Sequence, residues 1–425
     1  MSRDPELQSD QSVETSAPIS SEGNLISAPN FGASENANGT VPSSRISSAD
    51  RKASQQLLTG GANRVLETAA PSLSPARLTW RELRKNRLAI LGLWTLIFLY
   101  TIAIFAPFIA PYNPIDQNPG GRNATFHPPM KLRFSSGPFV YQMQSHFDED
   151  RNLIYLPDAS QPTKLRFFVK GWEYKLFGLI PSTTHLYGGD NGPVFLLGTD
   201  QFGRDYLSRL LAGSQISLSV GLIAIAITFS LGMLVGGISG FYGGFLDDII
   251  MRGCEILMSI PDFYLLLALA AALPVDWDPF RVYLLIIVIL SLIGWAGMAR
   301  VVRGMVLSVR EREYVEAARS LGVSDFKIIV RHILPATFTY AIVAATMSIP
   351  GYILAEAGLS FLGLGIRDPM ASWGNMLTAA QDLNTLENQR WILAPAVAIF
   401  ITTLAFNFLG DGLRDALDPK SRKLG

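Results

Sequence analysis

Six sparsely charged apolar runs punctuate the chain, at residues 88–110, 216–238, 251–273, 281–302, 336–363 and 391–410. At 1.5 Å per residue, each is long enough to cross a hydrocarbon core about 30 Å thick as a helix. The first should end among Pro107, Pro111 and Pro114, which lack the amide that continues a helix. The second carries Gly232, Gly236 and Gly240 at four-residue spacing, a face on which another helix can approach closely. The third, expected as one span, contains Glu255, Pro261 and Asp262. An acid in lipid costs at least about 2.5 kcal/mol, so these groups should face protein, water or an interface. Glu255 has two readings: snorkelling at the cytoplasmic end of its helix, or lining a pathway. Pro350-Gly351 and Pro395 predict kinks in the last two spans.

The polar stretches differ in kind. Residues 1–75 are rich in Ser, Ala, Asn, Gly and Gln and too poor in apolar residues to bury a core, which predicts a disordered tail. No short apolar core lies near Met1, so this tail is not read as a signal peptide. The sequons at Asn38 and Asn123 read as chance matches. Residues 76–110 hold a basic segment and the first span. Residues 111–212 show short alternating runs, Lys131-Leu132-Arg133-Phe134 and Leu165-Arg166-Phe167-Phe168-Val169, with turn chemistry at Gly137-Pro138 and Gly189-Asp190-Asn191-Gly192. They predict a small strand-rich lobe, which either touches substrate or covers the exit of the spans. Residues 213–425 hold the other five spans.

Charge sets the orientation. Arg81, Arg84, Lys85 and Arg87 precede the first span and place the N-terminus in the cytoplasm. Six spans return the C-terminus to the same side. Two further basic clusters agree with that parity: Arg303, Arg310, Arg312, Arg319, Lys327 and Arg331 in the 303–335 loop, and Arg414, Lys420, Arg422 and Lys423 in the tail. Of the 425 residues 16% are charged, against about a quarter in soluble chains, and the deficit falls in the apolar runs. Lys plus Arg equals Asp plus Glu, 35 of each, so net charge gives no pointer to nucleic acid. The single cysteine, Cys254, excludes an intramolecular disulfide and reads as an inert packed thiol.

The 303–335 loop is the most informative stretch. Tyr314, Ala317, Ala318 and Leu321 fall at helical spacing and predict one apolar stripe. Gly322 can end that helix in the left-handed conformation, and Ser324 suits the N-cap of a second. There Phe326, Ile329, Val330 and Ile333 repeat the stripe, and Pro335 marks the start of the next span. Such a hairpin either covers the helix ends of its own domain or docks into a partner.

The stretch Glu316-Ala317-Ala318, three residues, Gly322, then Leu334-Pro335 resembles the EAA loop of importer-type ABC permeases. That pattern is Glu-Ala-Ala, three residues, Gly, nine residues, Ile, one residue, Leu-Pro. His332 stands at the family's Ile position and Ile333 follows, similar to the Arg-His-Ile-Leu-Pro form of the peptide-transporter branch. Gly198-Thr199-Asp200-Gln201-Phe202-Gly203-Arg204-Asp205 resembles a run of C-type dipeptide and oligopeptide permeases, as do Leu359 to Gly365 and Gly410 to Pro419. The resemblance covers about 76–425, weakest over 112–193, where it is similar to a long-insert variant.

The resemblance implies an all-α membrane protein with six transmembrane helices of the type I ABC importer kind and a small β-rich extracytoplasmic insertion between helices 1 and 2. It implies a multi-pass protein of the bacterial inner membrane, forming half of a pathway, in contact with lipid and not with nucleic acid. Its partners would be a second permease, two ATP-binding subunits and an extracytoplasmic binding protein. The 303–335 loop would couple to the ATPase. ATP and Mg would be bound by those partners, with no cofactor in this chain. The sequence contains no Gly-x-x-x-x-Gly-Lys-Ser/Thr loop, no His-Glu-x-x-His and no paired-cysteine spacing. His127, His146, His185 and His332 are scattered, so no catalytic residue is assigned. Peptides are the first expectation for cargo, with nickel complexes, oligosaccharides and opines as alternatives. An ion-gradient-driven transporter is a second class, with Glu255, Asp262 and Glu356 as its candidate acids, but no inverted repeat supports it and it leaves the loop unexplained; a membrane sensor whose outer lobe binds a ligand is a third.

Overall fold

A computed structural model of the chain describes residues 75–119, 124–135, 137–147 and 153–417. The expected tail over 1–74, the two sequons, the end of the C-terminal motif from Asp418, and Lys420, Arg422 and Lys423 lie outside those residues.

Local chemistry sets the helix boundaries. A short helix, α1 (Pro75–Leu83), precedes Asn86, whose side chain accepts from the amides of Leu88 and Ala89 at 3.1 Å and starts α2 (Arg87–Ile104). α3 (Ala106–Ile109) continues it across Phe105, with Pro107 in its first turn. After the lobe, the Asp205 side chain caps α4 (Tyr206–Tyr242), a helix of 37 residues. Gly243 and Gly244 take positive φ of 65° and 58°, ending α4 and letting the chain turn into α5 (Gly244–Ser259).

The expected span over 251–273 is not one continuous helix. The path breaks at Ile260-Pro261 and turns by 79° into α6 (Asp262–Ala271). Pro261 has no amide for the preceding turn, so the break falls where the sequence places it. Among the described residues five helices are thus long and apolar enough to cross a membrane unbroken, or six if the bent pair counts as one span. α7 (Pro279–Val309) follows, capped by Asp278. The hairpin is α8 (Glu313–Ser320) and α9 (Asp325–Ile328). α9 runs through a π turn (Ile329–Ile333) directly into α10 (Leu334–Phe361). Pro335 therefore does not follow a break; the wider turn, in which the Leu334 amide reaches back to Ile329, accommodates it. α10 continues through Pro350. Short helices α11 (Trp373–Met376) and α12 (Leu383–Asn388) lead to α13 (Ala394–Leu417), where Pro395 stands in the first turn rather than at an interior kink.

The glycine stripe joins α4 to α7. A Cβ at Gly232 would collide with Met298, one at Gly236 with the Ala299 carbonyl, and one at Gly240 would lie 2.8 Å from Val306 Cβ. Around this contact gathers the largest buried cluster, including Leu218, Met233, Val302, Val306, Ile353 and Phe406. The outward helix faces are also apolar: Leu91, Trp94 and Phe98 on α2, and Phe400 on α13, are exposed. A stripe apolar towards both neighbours and surroundings suits lipid and not water.

The lobe is an antiparallel sheet of order β1-β2-β3-β4, from β1 (Arg133–Phe134), β2 (Pro138–Phe147), β3 (Leu153–Leu176) and β4 (Ile180–Gly189). The first half of β3 pairs with β2, and its second half forms a hairpin with β4. Val140, Tyr187, Val194 and Phe195 fill the core of the lobe.

Candidate functional site

The hairpin after α7 is held by its inner face and bare on its outer one. Val315, Ala318, Ile328, Ile329 and Ile333 enter the main buried cluster. Arg310 Nη1 donates to the Gly240 carbonyl at 3.0 Å, and the Arg319 guanidinium lies over the Phe241 ring. Gly322 takes φ +74°, and the Val323 amide closes the helix end on the Ala318 carbonyl at 3.2 Å. Ser324 occupies the N-cap position of α9 with extended backbone, but its side chain makes no capping bond.

The predicted stripes divide. Of the first, only Ala318 is buried, while Tyr314, Ala317 and Leu321 are exposed; of the second, Ile329 and Ile333 are buried, while Phe326 and Val330 are exposed. Val315 and Ile328, one position away from the expected stripes, complete the buried face. Leu321 is 83% exposed and Phe326 67%, on either side of the Gly322 turn. Glu316 and Pro335 are exposed, and His332 and Leu334 are half-buried.

Beside the hairpin, Asp247 at the foot of α5 faces Arg303 near the end of α7. Arg303 Nε donates to Asp247 Oδ1 at 3.0 Å and Nη2 to Oδ2 at 2.5 Å. Ser239 on α4 donates to the same carboxylate at 2.5 Å. Sequence reasoning counted Arg303 only as a topology charge; the Asp247-Asp248 pair just after two glycines was the available signal.

At the sheet end, residues 198–205 form a knot of turns. Gly198 and Gly203 both take φ +73°. Thr199 accepts from the His127 amide at 2.8 Å and donates to the Ala124 carbonyl. Asp200 accepts from the amides of Phe202 and Arg204 and, at 2.6 Å, from Arg204 Nε. Arg204 and Arg209 each donate to Asp368 Oδ1 at 2.9 Å, tying the start of α4 to the loop after α10. Burial opposes ionisation of Asp368, but Arg209 and Arg204 overcome it and hold its carboxyl below the usual range. Asp205 Oδ2 accepts from the Ser208 amide at 2.8 Å and hydroxyl at 2.6 Å. Full burial pushes the Asp205 carboxyl up to about 7 despite those bonds. Asp368 lies outside the resembling run, and nothing local in the sequence marks it.

The structure separates the three membrane acids. Glu255 pairs with Arg252 at 3.0 Å and Arg300 at 3.6 Å. Glu356 is fully buried and accepts from the hydroxyls of Ser217 at 3.1 Å and Ser360 at 2.7 Å. Asp262, directly after the break between α5 and α6, lines a cavity of about 590 Å³ between α4, α6, α7 and α10. Leu266, Leu290, Met298 and Phe263 make its walls apolar, and Gly294, Gly297 and Gly351 make room. Tyr352 donates to Thr228 at 3.1 Å on its surface. Asp262 is the one charged lining residue among the described residues.

Two family descriptions match. Residues 232–423 match the binding-protein-dependent transport system inner membrane component, and residues 74–129 match the N-terminal TM domain of oligopeptide transport permease C. The chain is similar to the dipeptide transport system permease protein DppC of Bacillus subtilis (strain 168), 36% identical over 83% of this chain and 88% of that one. It is also similar to the glutathione transport system permease protein GsiD of Escherichia coli O6:K15:H31, 34% identical over 80% of this chain and 89% of that one. With the oligopeptide transport system permease protein OppC of Haemophilus influenzae it shares 43% identity over 53% of this chain and 70% of that one.

Proposed function

The chain belongs to the binding-protein-dependent family of ABC importer permeases, multi-pass proteins of the inner membrane, and on that premise we propose that it carries peptides through one half of a pathway driven by a separate ATPase. It would work beside a second permease, two ATP-binding subunits and a soluble binding protein. ATP and Mg would sit on those subunits, and this chain would do no chemistry of its own. Its basic clusters favour cytoplasmic N- and C-termini.

One observation carries the coupling role. The 303–335 hairpin is anchored by Val315, Ala318 and Ile328 yet turns Leu321 and Phe326 outward. Two large apolar side chains beside a fixed turn suit a socket on a partner. Glu316, Ala317, Gly322 and Ser324 shape that turn; His332, Ile333, Leu334 and Pro335 join it to α10. The 198–205 run, with Gly198, Thr199, Asp200, Gly203, Arg204 and Asp205, would hold the pathway helices in place at the other end.

Asp262 gives the cavity a polarity. Names of the relatives include dipeptide, oligopeptide and glutathione transport, and such cargo carries an ammonium group. Asp262, exposed on the wall of this otherwise apolar chamber, would attract that group.

The test is uptake in vesicles holding the assembled complex. Leu321→Asp with Phe326→Asp should abolish ATP-dependent peptide uptake and release the ATPase on purification, while the permease still inserts. Normal uptake by that double variant would overturn the coupling role. Uptake that needs an ion gradient and no ATPase would overturn the whole reading.

A further inference from the structure

The β3–β4 hairpin ends in a turn that is apolar where a soluble hairpin would be polar. Phe177 and Gly178 occupy its centre with φ of +54° and +70°, and the Leu179 amide donates to the Leu176 carbonyl at 3.1 Å. Turns with two left-handed central residues favour Asn-Gly. A phenylalanine there is conformationally costly. Leu179 is 82% exposed, and Phe177 and Ile180 are exposed beside it.

This tip does not point into open space. The Phe177 ring meets that of Phe105, between α2 and α3, with centroids 5.8 Å apart. Further up, Phe168, also held at positive φ of +55°, meets Phe108 at 6.2 Å. The buried His185 ring reaches the Pro107 carbonyl at 3.0 Å. The hairpin thus lies against the last turns of the first span. Phe105 precedes the end of the apolar run at Ala110 by five residues, about 7 Å of helix. Lys175, exposed two residues before Phe177, has a stem long enough to reach headgroups.

We propose that this turn is a membrane anchor, which inserts Phe177, Leu179 and Ile180 at the boundary of headgroups and acyl chains beside the first span. The occupant of the exposed tip is lipid, because the tip continues the exposed apolar surface of α2. The lobe is then fastened to the bilayer as well as to its own helices. This rests on the chain crossing a membrane and is independent of its cargo and motor.

Site-directed spin labelling tests it in the assembled complex, in vesicles of phosphatidylethanolamine and phosphatidylglycerol. In a Cys254→Ser background, nitroxides are placed by Leu179→Cys, by Ile180→Cys and, as an aqueous reference, by Ser145→Cys. At 179 and 180, collisions with oxygen should exceed those with a water-soluble nickel chelate, with a ratio several-fold above that at 145. A ratio equal to that at 145 would overturn the anchor in favour of a solvated tip. Protection from both reagents would overturn it in favour of a covering protein. Two labelled positions keep the result readable if one variant fails to assemble.

Discussion

Arg303 holds Asp247 through two parallel hydrogen bonds, Nε to Oδ1 at 3.0 Å and Nη2 to Oδ2 at 2.5 Å. The carboxylate is buried, whereas the guanidinium is about one-third exposed, with side-chain exposures of 7% and 34%. Neutralising the arginine strands the acid more than losing the acid strands the arginine. Arg303→Ala should therefore lower stability by about 2–4 kcal/mol. Arg303→Lys should recover only part, because an ammonium cannot match the planar fork. Thermal unfolding of the detergent-solubilised complex reads both.

Gly322 separates backbone effects from contact effects. A Cβ there would meet nothing within 4 Å, so Gly322→Ala should cost only about 1 kcal/mol, from positive φ alone. Gly322→Pro also removes the amide that donates to the Arg319 carbonyl at 3.0 Å and forbids φ +74°. It should abolish ATP-coupled uptake while membrane insertion, read by protease protection, stays normal.

Gly236 faces the α7 backbone. Gly236→Val must displace Ala299 and Val302, which should cost at least about 2 kcal/mol. Loss of a monodisperse peak in size-exclusion chromatography would report it. Gly304 on α7, whose Cβ would meet nothing within 4 Å, should accept alanine without that loss.

Asp262→Asn keeps the shape of the cavity and removes its charge. Peptides with a free amino terminus should show an apparent KM raised roughly ten- to hundredfold, the range expected for one charge-assisted hydrogen bond. N-acetylated peptides should be unaffected. Equal changes for both peptide classes would show that Asp262 does not meet the amine.

Two buried groups in the lobe respond to pH with opposite sign. Burial between Tyr155 and Phe195 lowers His127 from 6.5 to about 4. Its neutral ring favours the fold, so its contribution is complete above about 6.5 and is lost as pH falls towards 4. Asp205, raised from 3.8 to about 7, favours the fold when protonated; its contribution is complete below 3.8 and is lost as pH rises to 7. Relative to wild type, His127→Phe should gain stability on acidification from pH 7 to 4 and Asp205→Asn should lose it, each by up to roughly 3 kcal/mol. Melting curves at several pH values distinguish the two.

The helical framework was legible because lipid demands long uncharged runs, and the lobe because its strands alternate. The break at Pro261 was visible as an odd residue but not as a 79° turn, since the bend depends on where α6 packs against α7 and α10. At the hairpin, periodicity found the right helices and divided their faces wrongly. Val315 joins Phe241 of α4 and Val302 and Val306 of α7 in one buried cluster, and Leu321 lies outside it, an arrangement set by packing rather than by spacing. The Asp200 motif was recognisable as a string, yet its ion-pair partner Asp368 lies 164 residues from Arg204. No window of sequence holds both.

The unbroken path from α9 through the π turn into α10 gives the hairpin a mechanical character. Asp325–Phe361 is one rod of 37 residues, about 55 Å from end to end. Phe326 stands at its tip, and Ser348, Gly351 and Tyr352, on the cavity wall, stand past its middle. No loop interrupts the path between them, although it passes through the π turn and Pro350. On the docking proposed above, this helix would carry a displacement of the tip to the wall of the chamber.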